Sequence, residues 1–262
     1  MQSENETATS GTWREGQFVR WQDVFLPVQA LLTWFGLLVL SVVWVAAGTQ
    51  QSQVNKFAHS LTTDPTVIQI VAASFEIVLL FYAWRVARRV ADESFVARYR
   101  PIGWSAFLLA LAGGMTLALL LFWANSQLQS HAIVEFHVTR ADRALTPKTA
   151  ADLPLGVLCL ALIAPLAEEM YFRGVLLSWL RRKMFAPLAI LASAAIFALV
   201  HLRFVSHPSA DGWVYTAAIA VVGVVTATLA TTTRSLWGPY AVHAGYNATL
   251  LCIPVFYPLL FG

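Results

Sequence analysis

Apolar residues fall in seven long blocks, at about 24–48, 66–90, 102–124, 152–180, 187–204, 212–231 and 236–260, and charged or turn-forming clusters separate them. A helix needs roughly 20 predominantly apolar residues to cross the hydrocarbon core of a bilayer. Each block reaches that length or comes close, so the pattern predicts an all-α bundle of about seven transmembrane helices. Pro254 and Pro258 lie in the last block. Proline withholds a backbone donor, so a break there would split the block into an eighth crossing. No internal repeat and no low-complexity tract interrupts the series. The chain reads as one integrated membrane domain. Residues 1–151 hold a polar N-terminal segment and three membrane helices without a recognisable motif, and 152–262 hold the candidate chemistry.

Composition sharpens the class. Hydrophobic residues make up 58% of the 262 and charged residues 12%, against roughly 25% charged in a soluble domain. The mean hydropathy is +0.64 and the isoelectric point about 9.0. A basic chain invites the idea of a nucleic-acid partner. Here, however, the basic residues cap apolar runs, as in Arg85, Arg88 and Arg89, or Arg181, Arg182 and Lys183. That placement sets membrane topology, and no nucleic-acid partner is expected.

With the N-terminus inside, the cytoplasmic segments carry Arg14, Arg20, Arg85, Arg88, Arg89, Arg98, Arg100, Arg181, Arg182, Lys183 and Arg234. The outer ones carry Lys56, Arg140, Arg143, Lys148 and Arg203. The asymmetry predicts a cytoplasmic N-terminus and, with seven spans, an outer C-terminus. The first 23 residues include acidic ones and lack the basic start of a cleavable signal peptide. Insertion into a cell membrane, plasma or inner, is expected to rest on the first helix, with Trp13, Phe18, Trp21 and Phe25 at the headgroup layer. Residues 125–151 form the longest outer connection, either an amphipathic cap or a solvated linker. Cys159 and Cys252 stand singly in apolar runs and read as free thiols.

Ionisable side chains near mid-bilayer cost several kcal/mol (estimates start at about 3) and therefore face the bundle interior. The fourth block contains Glu168, Glu169 and Arg173. Glu169 and Arg173 are four apart, share a helix face and can pair. Glu168 points about 100° away, which leaves one carboxylate neutralised and its neighbour available for chemistry. Pro165, just upstream, is placed to kink the helix and loosen carbonyls near the site. The fifth block carries Phe197 and His201. The seventh carries His243 and Asn247 on one face, with Ala244 and Gly245 leaving room for close packing or for a substrate backbone.

At ~1.5 Å per residue from the cytoplasmic ends, Glu168 lies about 18 Å deep, His201 about 22 Å, and His243–Asn247 about 10–17 Å. Helix tilt absorbs such differences. A lone intramembrane histidine is as readily an interhelical hydrogen bonder, and a Glu–Arg pair as readily a structural clamp. A carboxylate, two histidines and an amide on three segments at compatible depth point instead to a site. Glu76, isolated in the second block, reads as structural or facing a cavity.

These residues resemble the CPBP family, the CAAX-protease and bacteriocin-processing membrane proteins also called Abi. Its motifs are Glu-Glu-x-x-x-Arg, Phe-x-x-x-His and His-x-x-x-Asn on successive core helices. Here they stand as Glu168-Glu169 with Arg173, Phe197 with His201, and His243 with Asn247. The run Arg234-Ser235-Leu236-Trp237-Gly238-Pro239 is also similar to the family, and the likeness covers about residues 152–250.

The resemblance implies proteolysis of a peptide bond near or within the membrane, and because a buried site sees what the bilayer delivers, a membrane-anchored or lipidated protein is the expected substrate of such an intramembrane endopeptidase. Nothing in the chain specifies a prenyl-cysteine substrate. Peptide hydrolysis needs a base for water, charge stabilisation for the oxyanion and an acid for the leaving amine. Glu168 would activate water, His201 would help hold it and could return a proton, and His243 with Asn247 would stabilise the oxyanion. Glu169, Arg173 and Phe197 would support them from behind.

No cofactor is expected on this reading. The nearest rival is a zinc metalloprotease using Glu168, His201 and His243, although no His-Glu-x-x-His helix is present. A non-catalytic scaffold or immunity protein is a second rival. A proton-coupled transporter is a third, disfavoured by the absence of inverted repeats.

Overall fold

The structure, a computed structural model, describes residues 19–48, 51–90, 100–130, 147, 149–201 and 210–261. All regular structure among them is helical. A 3₁₀ turn, Trp21–Phe25, leads into α1 (Leu26–Gly48), followed by α2 (Gln51–Thr63), α3 (Pro65–Arg89) and α4 (Trp104–Ser130). Then come α5 (Leu153–Arg181), α6 (Ala186–His201), α7 (Ala210–Thr233) and α8 (Trp237–Phe261). Among the described residues, five helical stretches are long and apolar enough to cross a membrane: Trp21–Trp44, Pro65–Arg89, Trp104–Leu128, Leu153–Arg181 and Trp213–Thr233. The other two expected crossings are also helices. α6 is apolar but has 16 residues, and α8 has 25 residues, with His243 and Asn247 in its first half. The protein is an all-α membrane bundle.

Local chemistry explains the element ends. Asp64 caps α3 by accepting from the Thr66 and Val67 amides at 2.8 and 3.3 Å, and Pro65 occupies the first turn, where its missing N–H is harmless. Arg88 and Arg89 close the same helix, favourably placed against its dipole.

Three expectations change. The segment after α1, expected as a plain outer loop, forms α2. α4 runs on to Ser130 rather than ending near residue 124, because no glycine or proline stops it. The eighth crossing does not form: α8 continues through Pro254 and Pro258 to Phe261, since proline's fixed φ suits a helix and each forfeits one backbone bond. The polar segment through residue 18, most of the outer connection (131–146), Arg203 and Phe204 lie outside the described residues.

Packing is set by a few specific contacts. Asp23 pairs with Arg89, joining the start of α1 to the end of α3. Trp34 donates to Ser74 Oγ at 2.8 Å along the same α1–α3 seam. The Tyr171 hydroxyl donates to the Val24 carbonyl at 2.6 Å and draws α5 to the foot of α1. At the turn between α7 and α8, Arg234 adopts φ 52°, and Ser235 Oγ donates to the Arg100 carbonyl at 2.7 Å.

Phe107 and Trp237 meet edge to face at 6.2 Å, so α4 and α8 start at the same end and run parallel. An even number of crossings therefore lies between their starts, as seven alternating spans require. The two helices touch backbone to backbone. A Cβ on Gly114 would lie 2.0 Å from the Val242 carbonyl oxygen, and one on Gly245 would lie 2.3 Å from that of Leu111. Gly245 thus serves close packing.

The surface and interior are arranged for lipid. Leu32, Leu40, Trp44, Leu109 and Trp123 are exposed, while Gln69, Glu76, Glu169, Arg173, Ser193, Thr226 and His243 are buried. Apolar side chains face outward because acyl chains replace water there, and polar groups turn inward to find partners. Glu76 is one of these buried, partnered groups. Cys159 and Cys252 are free thiols, the first of them buried.

Candidate active site

The centre of the bundle is built on α5, which is not a uniform α-helix. Val157–Ile163 and Met170–Leu176 are wound as π-helix, with the α-helical stretch Ala164–Glu169 between them. The Ala164 N–H reaches back five residues to the Cys159 carbonyl, and the Leu177 N–H does the same to Phe172. Pro165 accounts for the first departure, since it has no N–H to donate at the point where an α ladder needs one. The kink expected at Pro165 takes the form of a widened turn. Such turns recur at functional sites.

Between the two π stretches stand Glu168 and Glu169. Glu169 is fully buried, and its Oε2 lies 3.1 Å from Nε of the equally buried Arg173 one turn on. Arg173 also hydrogen-bonds Thr226 on α7 and lies 4.4 Å over the Phe197 ring of α6. The ion pair is thus enclosed by an aromatic face and a hydroxyl, which a desolvated charge requires. Ser193 of α6 donates to the Phe172 carbonyl at 3.3 Å and fixes α6 against the second π stretch.

His243 on α8 is placed by the same pair. Its Nδ1 is 2.9 Å from Glu169 Oε1, and its ring meets Phe197 edge to face at 5.6 Å. His201 on α6 has Nδ1 2.7 Å from the Phe197 carbonyl. A carboxylate and a carbonyl only accept, so in both rings Nδ1 carries a hydrogen and Nε2 is the nitrogen turned to the site. Both Nε2 atoms face Glu168 Oε2, from His243 at 3.7 Å and from His201 at 3.9 Å. These separations exceed a direct hydrogen bond. The Glu168 and His201 side chains each keep 15% of their surface exposed, against 5% for His243.

The structure therefore brings together Glu168, His201, His243, Glu169, Arg173 and Phe197. Asn247 is engaged elsewhere: its Nδ2 donates to the Leu160 carbonyl in the first π stretch at 2.8 Å. Sequence reasoning did not find Thr226, Ser193 or the Leu160 carbonyl. A threonine or serine among apolar residues, or a backbone oxygen, carries no signal until the neighbouring helix is in place. Among the described residues no group of three His, Cys, Asp or Glu is arranged to hold a metal ion. The donor set Glu168, His201 and His243 is nonetheless chemically suited to zinc.

The three motif-bearing helical segments lie inside a stretch with a recognisable relative. The family described as Type II CAAX prenyl endopeptidase Rce1-like matches residues 150–249. No curated protein and no solved structure matches the chain. The chain is thus similar over residues 150–249, where Glu168, His201 and His243 gather in one cluster, to the Rce1-like CAAX prenyl endopeptidases.

Proposed function

We propose that this protein is an intramembrane endopeptidase in which Glu168 activates a water molecule to hydrolyse a peptide bond in a membrane-anchored or lipidated protein. The observation that carries this reading is the convergence of both imidazole Nε2 atoms on Glu168 Oε2, 3.7 and 3.9 Å away. Glu168 takes a proton from water as the oxygen attacks the scissile carbonyl carbon. His201 holds that water through Nε2. The oxyanion is met by His243 holding a hydrogen on each ring nitrogen throughout, Nδ1–H toward Glu169 and Nε2–H toward the oxygen, and by the amide hydrogen of Asn247 not given to Leu160. Glu168 then passes its proton to the leaving amine, so one water is consumed and a carboxyl and an amine terminus are released. Glu169 and Arg173 keep His243 in place throughout. The match to a prenyl-endopeptidase family supports a lipid-modified protein tail as substrate, and a site among membrane helices is reached by what the bilayer delivers.

The same three side chains support a second reading, in which Glu168, His201 and His243 ligate a catalytic zinc. A non-catalytic scaffold is the third. The experiment compares membrane proteomes of cells carrying the unaltered chain, Glu168→Gln and His201→Ala. A precursor that accumulates in both variants, at equal protein level, supports proteolysis. An identical proteome in all three rejects it.

A further inference from the structure

The backbone of α5 has one carbonyl whose partner proline cannot supply. Ala164 donates to Cys159, five residues back. Continuing that π register, Leu166 would serve Ala161, and the carbonyl of Leu160 would fall to residue 165. That residue is Pro165, fully buried and without an N–H. Among membrane helices, away from water, a carbonyl left without a donor is costly. The donor present is the side-chain amide of Asn247, 2.8 Å from Leu160 O across the α5–α8 interface. Because a carbonyl accepts only, this contact also settles which end of the amide faces α5: Nδ2 turns to Leu160 and Oδ1 away from it.

We propose that Pro165 is a positioning residue of the site. By withholding its N–H it leaves the Leu160 carbonyl to Asn247, which fixes the orientation of that amide and the helical register in which α5 presents Glu168, three residues further on. The kinetic part rests on the protease reading; the structural part does not. Pro165→Ala supplies the missing N–H, returns the turn to backbone bonding and frees the Asn247 amide to rotate.

The test is a four-member cycle of the full chain: unaltered, Pro165→Ala, Asn247→Ala and the double variant. Hydrogen exchange over residues 160–168 in detergent-solubilised protein needs no substrate. Asn247→Ala is expected to speed exchange there when Pro165 is present, and to have little effect once Pro165→Ala has closed the turn. Asn247→Asp, which has no hydrogen to donate when ionised, must reproduce the faster exchange with Pro165 in place, so the inference stays testable even if Pro165→Ala does not fold.

In cleavage assays, loss of the Asn247 donor is expected to lower kcat by about 10²-fold at similar KM in the chain that keeps Pro165. In the Pro165→Ala background the further loss should be under about 5-fold, since interacting positions are non-additive. Equal effects of Asn247→Ala in both backgrounds, or unchanged exchange in every variant, overturn the inference. Coupled exchange in a chain that cleaves nothing rejects the protease reading and leaves the Pro165–Asn247 coupling standing.

Discussion

His243 donates its Nδ1 hydrogen to Glu169 Oε1 at 2.9 Å, and this bond presents the opposite ring nitrogen to Glu168. The adjacent carboxylates of α5 thus divide the work: one fixes a histidine, and the other faces it. Glu169→Ala should therefore lower kcat although Glu169 is fully buried and does not reach the reacting atoms. It should also leave Arg173 as an uncompensated buried charge, which is destabilising by about 3–5 kcal/mol. Arg173→Met should be destabilising by a similar amount, and Glu169→Gln with Arg173→Met together by less than either alone. Thermal unfolding in detergent checks the order. A double variant as unstable as the sum of the singles would mean that the pair is not coupled.

The crossing of α4 and α8 gives a prediction with an internal control. Gly114→Ala and Gly245→Ala place a methyl group against backbone carbonyls, which must force the helices apart. Overpacking of this kind costs about 1–3 kcal/mol. Because His243 lies beside the crossing, cleavage should fall with stability. Gly113→Ala meets nothing within 4 Å and should be neutral or stabilising by up to ~1 kcal/mol, as alanine is the better helix former. Equal unfolding temperatures for all three variants would contradict the close approach.

Arg234 is the described non-glycine residue with positive φ, 52°, and it ends α7 with its N–H bonded to the Ala230 carbonyl at 3.0 Å. That conformation costs side chains with a Cβ about 1–2 kcal/mol, and glycine escapes the cost. Arg234→Gly is expected to raise the unfolding temperature. A fall would show that the arginine side chain makes contacts that outweigh the strain.

Metal content separates the two catalytic readings. Water activation by Glu168 alone predicts that purified, active protein holds well under one zinc per chain and keeps its activity after chelation. Stoichiometric zinc, with activity lost on chelation and regained on adding the metal, would transfer the assignment to the zinc reading.

The fold was legible in the sequence where a simple physical demand acts on a run of residues. Crossing a bilayer needs a long apolar block, and all seven blocks are helices. α2 escaped because Gln51–Thr63 is a mixed polar stretch whose helicity no membrane demand announces. At the site, the Glu169–Arg173 pair follows from spacing within one helix. The Glu169–His243 bond joins residues 74 apart, and no periodicity reports it. Pro165 was visible as a disturbance of α5, yet which carbonyl it would strand, and that Asn247 would answer it, depends on the interface between α5 and α8.

The backbone-to-backbone seam of Gly114 and Gly245 has a further consequence. The catalytic-looking motifs all lie beyond residue 150, but the helix bearing His243 leans on one from the motif-free half. A fragment excised at residue 150 would present the notch at Gly245 and the face of α8 around it to lipid without the helix that fills it. It is expected to aggregate rather than insert as a self-standing enzyme, whereas supplying residues 1–149 as a separate polypeptide should restore assembly.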